Sequence, residues 1–194
     1  LAPHQDPEIR FDLLPADYQQ PAGNQSEQLL HFFAITDIHI TDGEFPAHGI
    51  YLKYGGGIVS AYSEMMHYTT HIFDGAIHSV NALHHHKPLD FGLSLGDNTN
   101  NAMYNELRWS IDIFDGKEIN LDFGVNPNPR IGPRNDFYDV FMAVGLNQQI
   151  PWYQIIGNHD HIWPDKPVKA VSDDPDRRFL SRIEWIKEFF NTET

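Results

Sequence analysis

The stretch Leu29-Leu30-His31-Phe32-Phe33-Ala34-Ile35-Thr36-Asp37-Ile38-His39 decides how the chain is read, because an apolar run stops there at an Asp and a His two residues apart. An unbroken run of aromatic and branched residues predicts a strand buried on both faces. Two later stretches repeat the pattern. Leu89-Asp90-Phe91-Gly92-Leu93-Ser94-Leu95 ends in Gly96-Asp97-Asn98, and Trp152-Tyr153-Gln154-Ile155-Ile156 ends in Gly157-Asn158-His159-Asp160. Each run delivers ligand-type side chains at its carboxyl end, the edge where ligands sit in open α/β sheets.

Between these strands the apolar spacing turns helical. Over 58–86, Tyr62, Met65, Met66, Ile72, Phe73, Ala76, Ile77, Val80 and Leu83 recur at steps of three and four, and Pro88 stops the run. Over 101–114, Met103, Leu107, Ile111 and Phe114 are expected against the sheet, with Asp115-Gly116 as terminator. The alternation β-α-β-α-β calls for a parallel sheet with right-handed crossovers and the three strands adjacent. Asp136 is expected to cap a short helix that turns Phe137, Phe141 and Val144 inward and ends at Gly145. Ser181 and Glu184 form a capping box for a last helix expected to bury Ile183, Ile186 and Phe190.

Outside this frame, residues 1–28 are rich in Pro, Gln and Asp and read as an extended N-terminal arm anchored by Phe11, Leu13 and Leu14. Residues 29–194 form the domain proper. The Gly-rich segment 41–57 starts at the ligand edge and is expected to face substrate, 120–134 reads as an inserted loop, and 164–178 as a polar linker.

The convergent side chains define a chemistry. Carboxylate, imidazole and amide oxygen, in a chain with no cysteine, suit two neighbouring divalent or trivalent Mn, Fe or Zn ions better than a soft-metal site. Asp97 has two oxygens with which to bridge a pair of cations, and Asn158 adds an oxygen without adding charge. His67, His71, His78 and His85 share a helix face, but with no carboxylates among them they read as a solvated stripe.

The net charge of −14 argues against nucleic-acid or anionic-membrane partners, whose phosphates it would repel. No segment reaches the roughly 18 apolar residues of a membrane span. With 41% hydrophobic residues among 194, the chain has the composition of a globular protein. Compartment is left open, and the absence of an initiating Met is compatible with a removed leader.

In order and spacing, Asp37-Ile38-His39, Gly96-Asp97-Asn98 and Gly157-Asn158-His159-Asp160 resemble the first three motif blocks of the calcineurin-like metallophosphoesterases, over about Leu30 to Asp160. The resemblance implies the parallel β-α-β-α-β half of that family's α/β sandwich. It implies that Asp37 and His39 bind one metal, that Asp97 bridges two, and that Asn158 binds the second. His159 would contact phosphate and help the leaving group depart. The implied activity is hydrolysis of a small phosphomonoester or phosphodiester by a hydroxide held at the dinuclear centre.

Two departures from the family pattern stand out. Many members carry an Asp three residues after the bridging Asp, where it supports the catalytic His. This chain has Asn100 there, so Asp160 or a residue outside this sequence is expected to take that part. The family also completes its metal shell with a lone His and a later Gly-His-X-His block, whereas only His159 and His161 follow Asn158 here. The expectation is an N-terminal portion of a catalytic domain, inactive by itself, whose partner is the remainder beyond Thr194. The rival readings are a metallophosphoesterase-like binding scaffold without catalysis, and a metal-storage or metal-sensing module built on the histidines.

Overall fold

A computed structural model describes residues 10–19, 28–43, 64–121, 137–161 and 175–190. In chain order its elements are β1 (Phe32–Ile35), α1 (Thr69–His86), β2 (Phe91–Ser94), α2 (Tyr104–Asp115), β3 (Glu118–Ile119), β4 (Phe141–Met142), β5 (Trp152–Gln154) and α3 (Arg182–Phe190). The strands β1, β2 and β5 form one sheet in that order. Both pairings are parallel, with Phe33 opposite Gly92 and Leu93 opposite Tyr153. The mixed α/β class, the parallel sheet and the adjacency of the three strands follow the sequence pattern.

Burial of the sheet on both faces does not hold. Each crossover moves one strand in the same direction, and right-handed connections of that kind put their helices on one face. Phe33, Ile35 and Trp152 accordingly pack with Phe73 and Ile77 of α1 and Trp109, Ile113 and Phe114 of α2. The Trp152 and Phe114 rings stack at 4.0 Å. The alternate residues Phe32 and Tyr153 are exposed on the other face, where Phe32 stacks on Phe91 at 4.9 Å.

Both long helices are shorter than their apolar spacing predicts. A 3-10 turn, Glu64–Tyr68, precedes α1, and residues 58–63 lie outside the described residues. Of the described residues of the predicted stripe, Phe73 and Ile77 are fully buried, while Met65, Ile72 and Leu83 are exposed. At its end the Leu89 N–H donates to Nδ1 of the buried His84, so this histidine serves the turn into β2. His78 and His85 face solvent, but His67 and His71 do not, since they pack on Phe137 and Phe141. His78 also has an acidic neighbour, Asp74, at 3.8 Å.

The helix α2 stops at Gly116 in the left-handed conformation, as the Asp-Gly pair predicts. Its apolar residues divide between two partners. Phe114 joins the sheet-side core, but Leu107 and Ile111 pack on Trp185 of α3, and Met103 packs on Phe179. The capping box of α3 forms as expected, Ser181 and Glu184 exchanging bonds of 3.0 and 3.2 Å. Its buried face is the one through Trp185 and Phe189, and Ile183 and Ile186 are exposed. Arg108 fixes that orientation by reaching Glu188 at 2.6 Å.

Among the described residues 137–144 there is no helix before Gly145, and its expected cap Asp136 lies outside them. Phe141 and Met142 instead pair antiparallel with Ile119 and Glu118, and Val144 is exposed. In the N-terminal arm Leu13 is exposed, contrary to the expected anchor. Residues 44–57 and 122–134 of the two loops and 164–174 of the linker lie outside the described residues.

Candidate metal centre

Three loops leave the carboxyl ends of β1, β2 and β5 and meet. The first two run side by side, with backbone bonds from Asp37 N–H to Gly96 O, His39 N–H to Asp97 O and Ile40 N–H to Asn98 O at 3.2, 2.9 and 2.8 Å. Asp37, His39 and Asp97 all adopt positive φ, at 55°, 49° and 55°. That region is uncommon for residues other than glycine, and such strain gathers at functional sites.

The third loop closes on the second because Gly157 has no side chain. A Cβ there would lie 2.1 Å from Asp97 Oδ1 and 2.2 Å from the Asp97 nitrogen. With that approach allowed, donor atoms of His39, Asp97 and His159 come within 4.8 Å of one another. This is the cluster of three ligand-type groups among the described residues. His39 Nε2 sits 4.0 Å from Asp97 Oδ2 and 3.5 Å from Asp37 Oδ1, and the two histidine rings meet edge to face at 4.4 Å.

The sequence-predicted residues divide as follows. Asp97 turns Oδ2 toward His39 and uses Oδ1 to accept the His159 backbone N–H at 2.7 Å. Asp37 stands at the rim, exposed, and the Thr36 hydroxyl that donates to it at 2.6 Å holds its carboxyl below the usual carboxylate range. Asn158 is exposed in the same turn as His159. His159 enters the donor cluster itself, which the motif comparison did not suggest. Its Nδ1 lies 2.8 Å from the Asn100 carbonyl. A carbonyl only accepts, so Nδ1 carries the hydrogen, and Nε2 is the nitrogen left to offer a ligand. No side-chain pattern signals this, since the partner is main chain.

Asp160 does not support His159. Its Oδ2 accepts the N–H groups of Asp97 and Gly157 at 3.0 and 2.9 Å, and Oδ1 accepts that of Thr99 at 3.0 Å. Burial pushes its carboxyl up while these three bonds pull it down. It ties the second and third loops together, and the carbonyl of Asn100 takes the place by the imidazole.

Behind the loops lies a buried polar layer. Asp42, which follows the first loop, binds Arg177 through two contacts of 2.7 and 3.2 Å and accepts from Asn105 at 2.8 Å. Arg177 thus belongs to the interior, contrary to the linker reading of 164–178. Glu106 is fully buried, and burial pushes its carboxyl up to about 8 against the pull of bonds from Asp42 and Asn101.

The donors fit a metal ion. Two imidazoles and a carboxylate suit one Zn, Mn or Fe with open positions. His39 Nδ1 is buried without a hydrogen-bond partner, and its Nε2 faces two carboxylates at distances too long for good hydrogen bonds. A cation between them would satisfy that arrangement. Beside Asp37 opens an apolar cavity of about 210 Å³ walled by Ile35, Ile38, Ile72 and Phe73. No helix among the described residues is long and apolar enough to cross a membrane. A scan against protein-family models and searches of curated proteins and of solved structures found no match to this chain.

Proposed function

We propose that this chain is the metal-binding part of a hydrolase that cleaves small phosphomonoesters or phosphodiesters at a centre of two Mn, Fe or Zn ions. The observation that carries the reading is the meeting of His39, Asp97 and His159 within 4.8 Å, from three separate strand ends. The resemblance of the three motifs adds the reaction class. Positive φ at three of the loop residues supports it, because backbone strain of this kind gathers at functional sites.

A bound ion supplies Lewis acidity toward a phosphoryl oxygen and acidifies water. His39, Asp97 and His159 would hold the ion. Asp37, kept ionised by Thr36, offers a further carboxylate oxygen at the rim, and the exposed Asn158 amide a neutral one. In this reading Asp37 would share the first ion with His39, Asn158 would serve the second, and the remaining donors would come from elsewhere in the protein. Since Nδ1 is committed to Asn100, Nε2 is the one atom His159 can offer, and it would serve either the ion or, protonated instead, a departing oxygen, never both at once. The cavity beside Asp37 has room for an apolar leaving group of aryl size, given that about 150 Å³ admits a benzene. The net charge of −14 disfavours polyanionic substrates.

The second reading is a scaffold without catalysis, favoured by one observation: the described donors complete one three-ligand cluster and not two. The test is metal content of the whole protein after Mn, Fe or Zn loading, with turnover of nitrophenyl phosphate and bis-nitrophenyl phosphate before and after chelation. Bound metal with turnover that chelation abolishes supports the hydrolase. Bound metal without turnover supports the scaffold, and no bound metal overturns both.

A further inference from the structure

We propose that Glu106 is the positioning residue for His159, acting through the peptide group that joins Asn100 to Asn101. The carbonyl of that peptide belongs to Asn100 and faces His159 Nδ1 at 2.8 Å. The N–H of the same peptide belongs to Asn101 and donates to Glu106 Oε2 at 2.8 Å. One planar unit therefore has the imidazole on one end and a fully buried carboxyl on the other. Hydrogen bonds in such a chain polarise one another, so a carboxyl on the N–H strengthens the carbonyl as an acceptor.

Glu106 is held for this purpose on every side. Its Oε1 accepts the Asn101 side-chain amide at 2.7 Å and the Asp42 N–H at 2.9 Å. It stands in the first turn of α2, and Ala102, two residues before that helix, has a positive φ of 54°. The peptide is fixed from its other neighbour as well, the Asn100 N–H donating to Ile40 O at 2.9 Å. A carboxylate at position 100 would touch the imidazole directly. With Asn there, the carboxyl acts from one peptide further away, and it fixes which ring nitrogen of His159 carries the hydrogen.

The inference rests on the hydrolase reading for its consequence but not for its measurement. The measurement is the nitrogen resonance pattern of the His159 ring in the full chain, freed of metal by chelation, in the wild type, Glu106→Gln and Asn105→Ala. Asn105 is an equally buried neighbour that bonds Asp42 and not the Asn101 peptide. The wild type should hold the hydrogen on Nδ1, Glu106→Gln should give a mixture of both tautomers, and Asn105→Ala should keep the wild-type pattern. If turnover is present, Glu106→Gln should lower kcat about tenfold with KM little changed. Should Glu106→Gln fail to fold, His159→Leu reads the relay from the other end. The Asn101 amide proton should then move upfield while that of Asp42, on the same carboxyl, stays. An unchanged tautomer in folded Glu106→Gln, or an unmoved Asn101 amide in His159→Leu, overturns the proposal. An absence of turnover leaves these two readouts intact and counts against the hydrolase reading alone.

Discussion

Asp97 Oδ1 accepts the backbone N–H of His159 at 2.7 Å, so the carboxylate that heads the second loop also holds the third. The two jobs use different oxygens and can be separated by substitution. Asp97→Asn keeps an oxygen for the His159 N–H and loses the charge facing His39, so the fold should survive while metal affinity falls by at least tenfold. Asp97→Ala removes both, leaving a buried N–H unpaired at a cost of about 1–3 kcal/mol. Metal titration beside urea unfolding checks this. Equal stability loss in the two variants would show that the oxygens are not divided as described.

Gly157 should resist the smallest possible change. Its backbone angle is ordinary, but a Cβ would press on Asp97 Oδ1 and nitrogen at 2.1 and 2.2 Å. Gly157→Ala must therefore part the second and third loops, costing about 1–3 kcal/mol as overpacking does and withdrawing His159 from His39. Metal binding should be lost while far-ultraviolet dichroism is retained. A variant that binds metal like the wild type would mean that the loops meet with room to spare.

What the sequence made legible was the sheet and its ligand edge. Strand runs ending in Asp-X-His, Gly-Asp-Asn and Gly-Asn-His-Asp announce both a parallel sheet and a convergence, because side-chain type and strand end are local properties. The helix faces were less legible. Leu107 and Ile111 carry the same apolar signal whether they meet a sheet or Trp185, and Ile183 is as apolar as Trp185, so periodicity alone cannot choose the partner. The short β4 defeated the reading for a related reason, since two residues are too few to show a period. The supports of the site were hidden most completely. His159 rests on a carbonyl, and Asp160 binds backbone N–H groups, and neither partner leaves a mark in the sequence.

Arg177 and Asp42 form an ion pair with both side chains almost wholly buried. Removing one partner strands the other charge in the interior, which typically costs about 3–5 kcal/mol. Arg177→Ala should lose that much stability and loosen the first loop, because Asp42 lies just beyond His39. Replacing Arg177 by Met together with Asp42 by Asn should recover part of the loss. Urea unfolding of the three proteins decides it, and a single-variant cost below about 1 kcal/mol would show that water reaches Asp42.

The buried carboxyl of Glu106 gives the chain a pH dependence whose sign is fixed. Burial raises this group from 4.5 to about 8, so the folded chain keeps a proton that the unfolded chain has already released. Between those values the unfolded state binds fewer protons, and stability falls as pH rises. The fall begins near the unfolded value, approaches about 1.4 kcal/mol per pH unit at its steepest, and ends above the folded one. Asp160, also raised by burial, contributes with the same sign. Glu106→Gln cannot titrate, so its stability should fall less between pH 5 and pH 8 than that of the wild type, whatever its absolute value. Urea unfolding of both chelated proteins across this range measures the difference. Parallel curves would show that Glu106 ionises as freely folded as unfolded, its N–H donors from Asp42 and Asn101 then outweighing its burial.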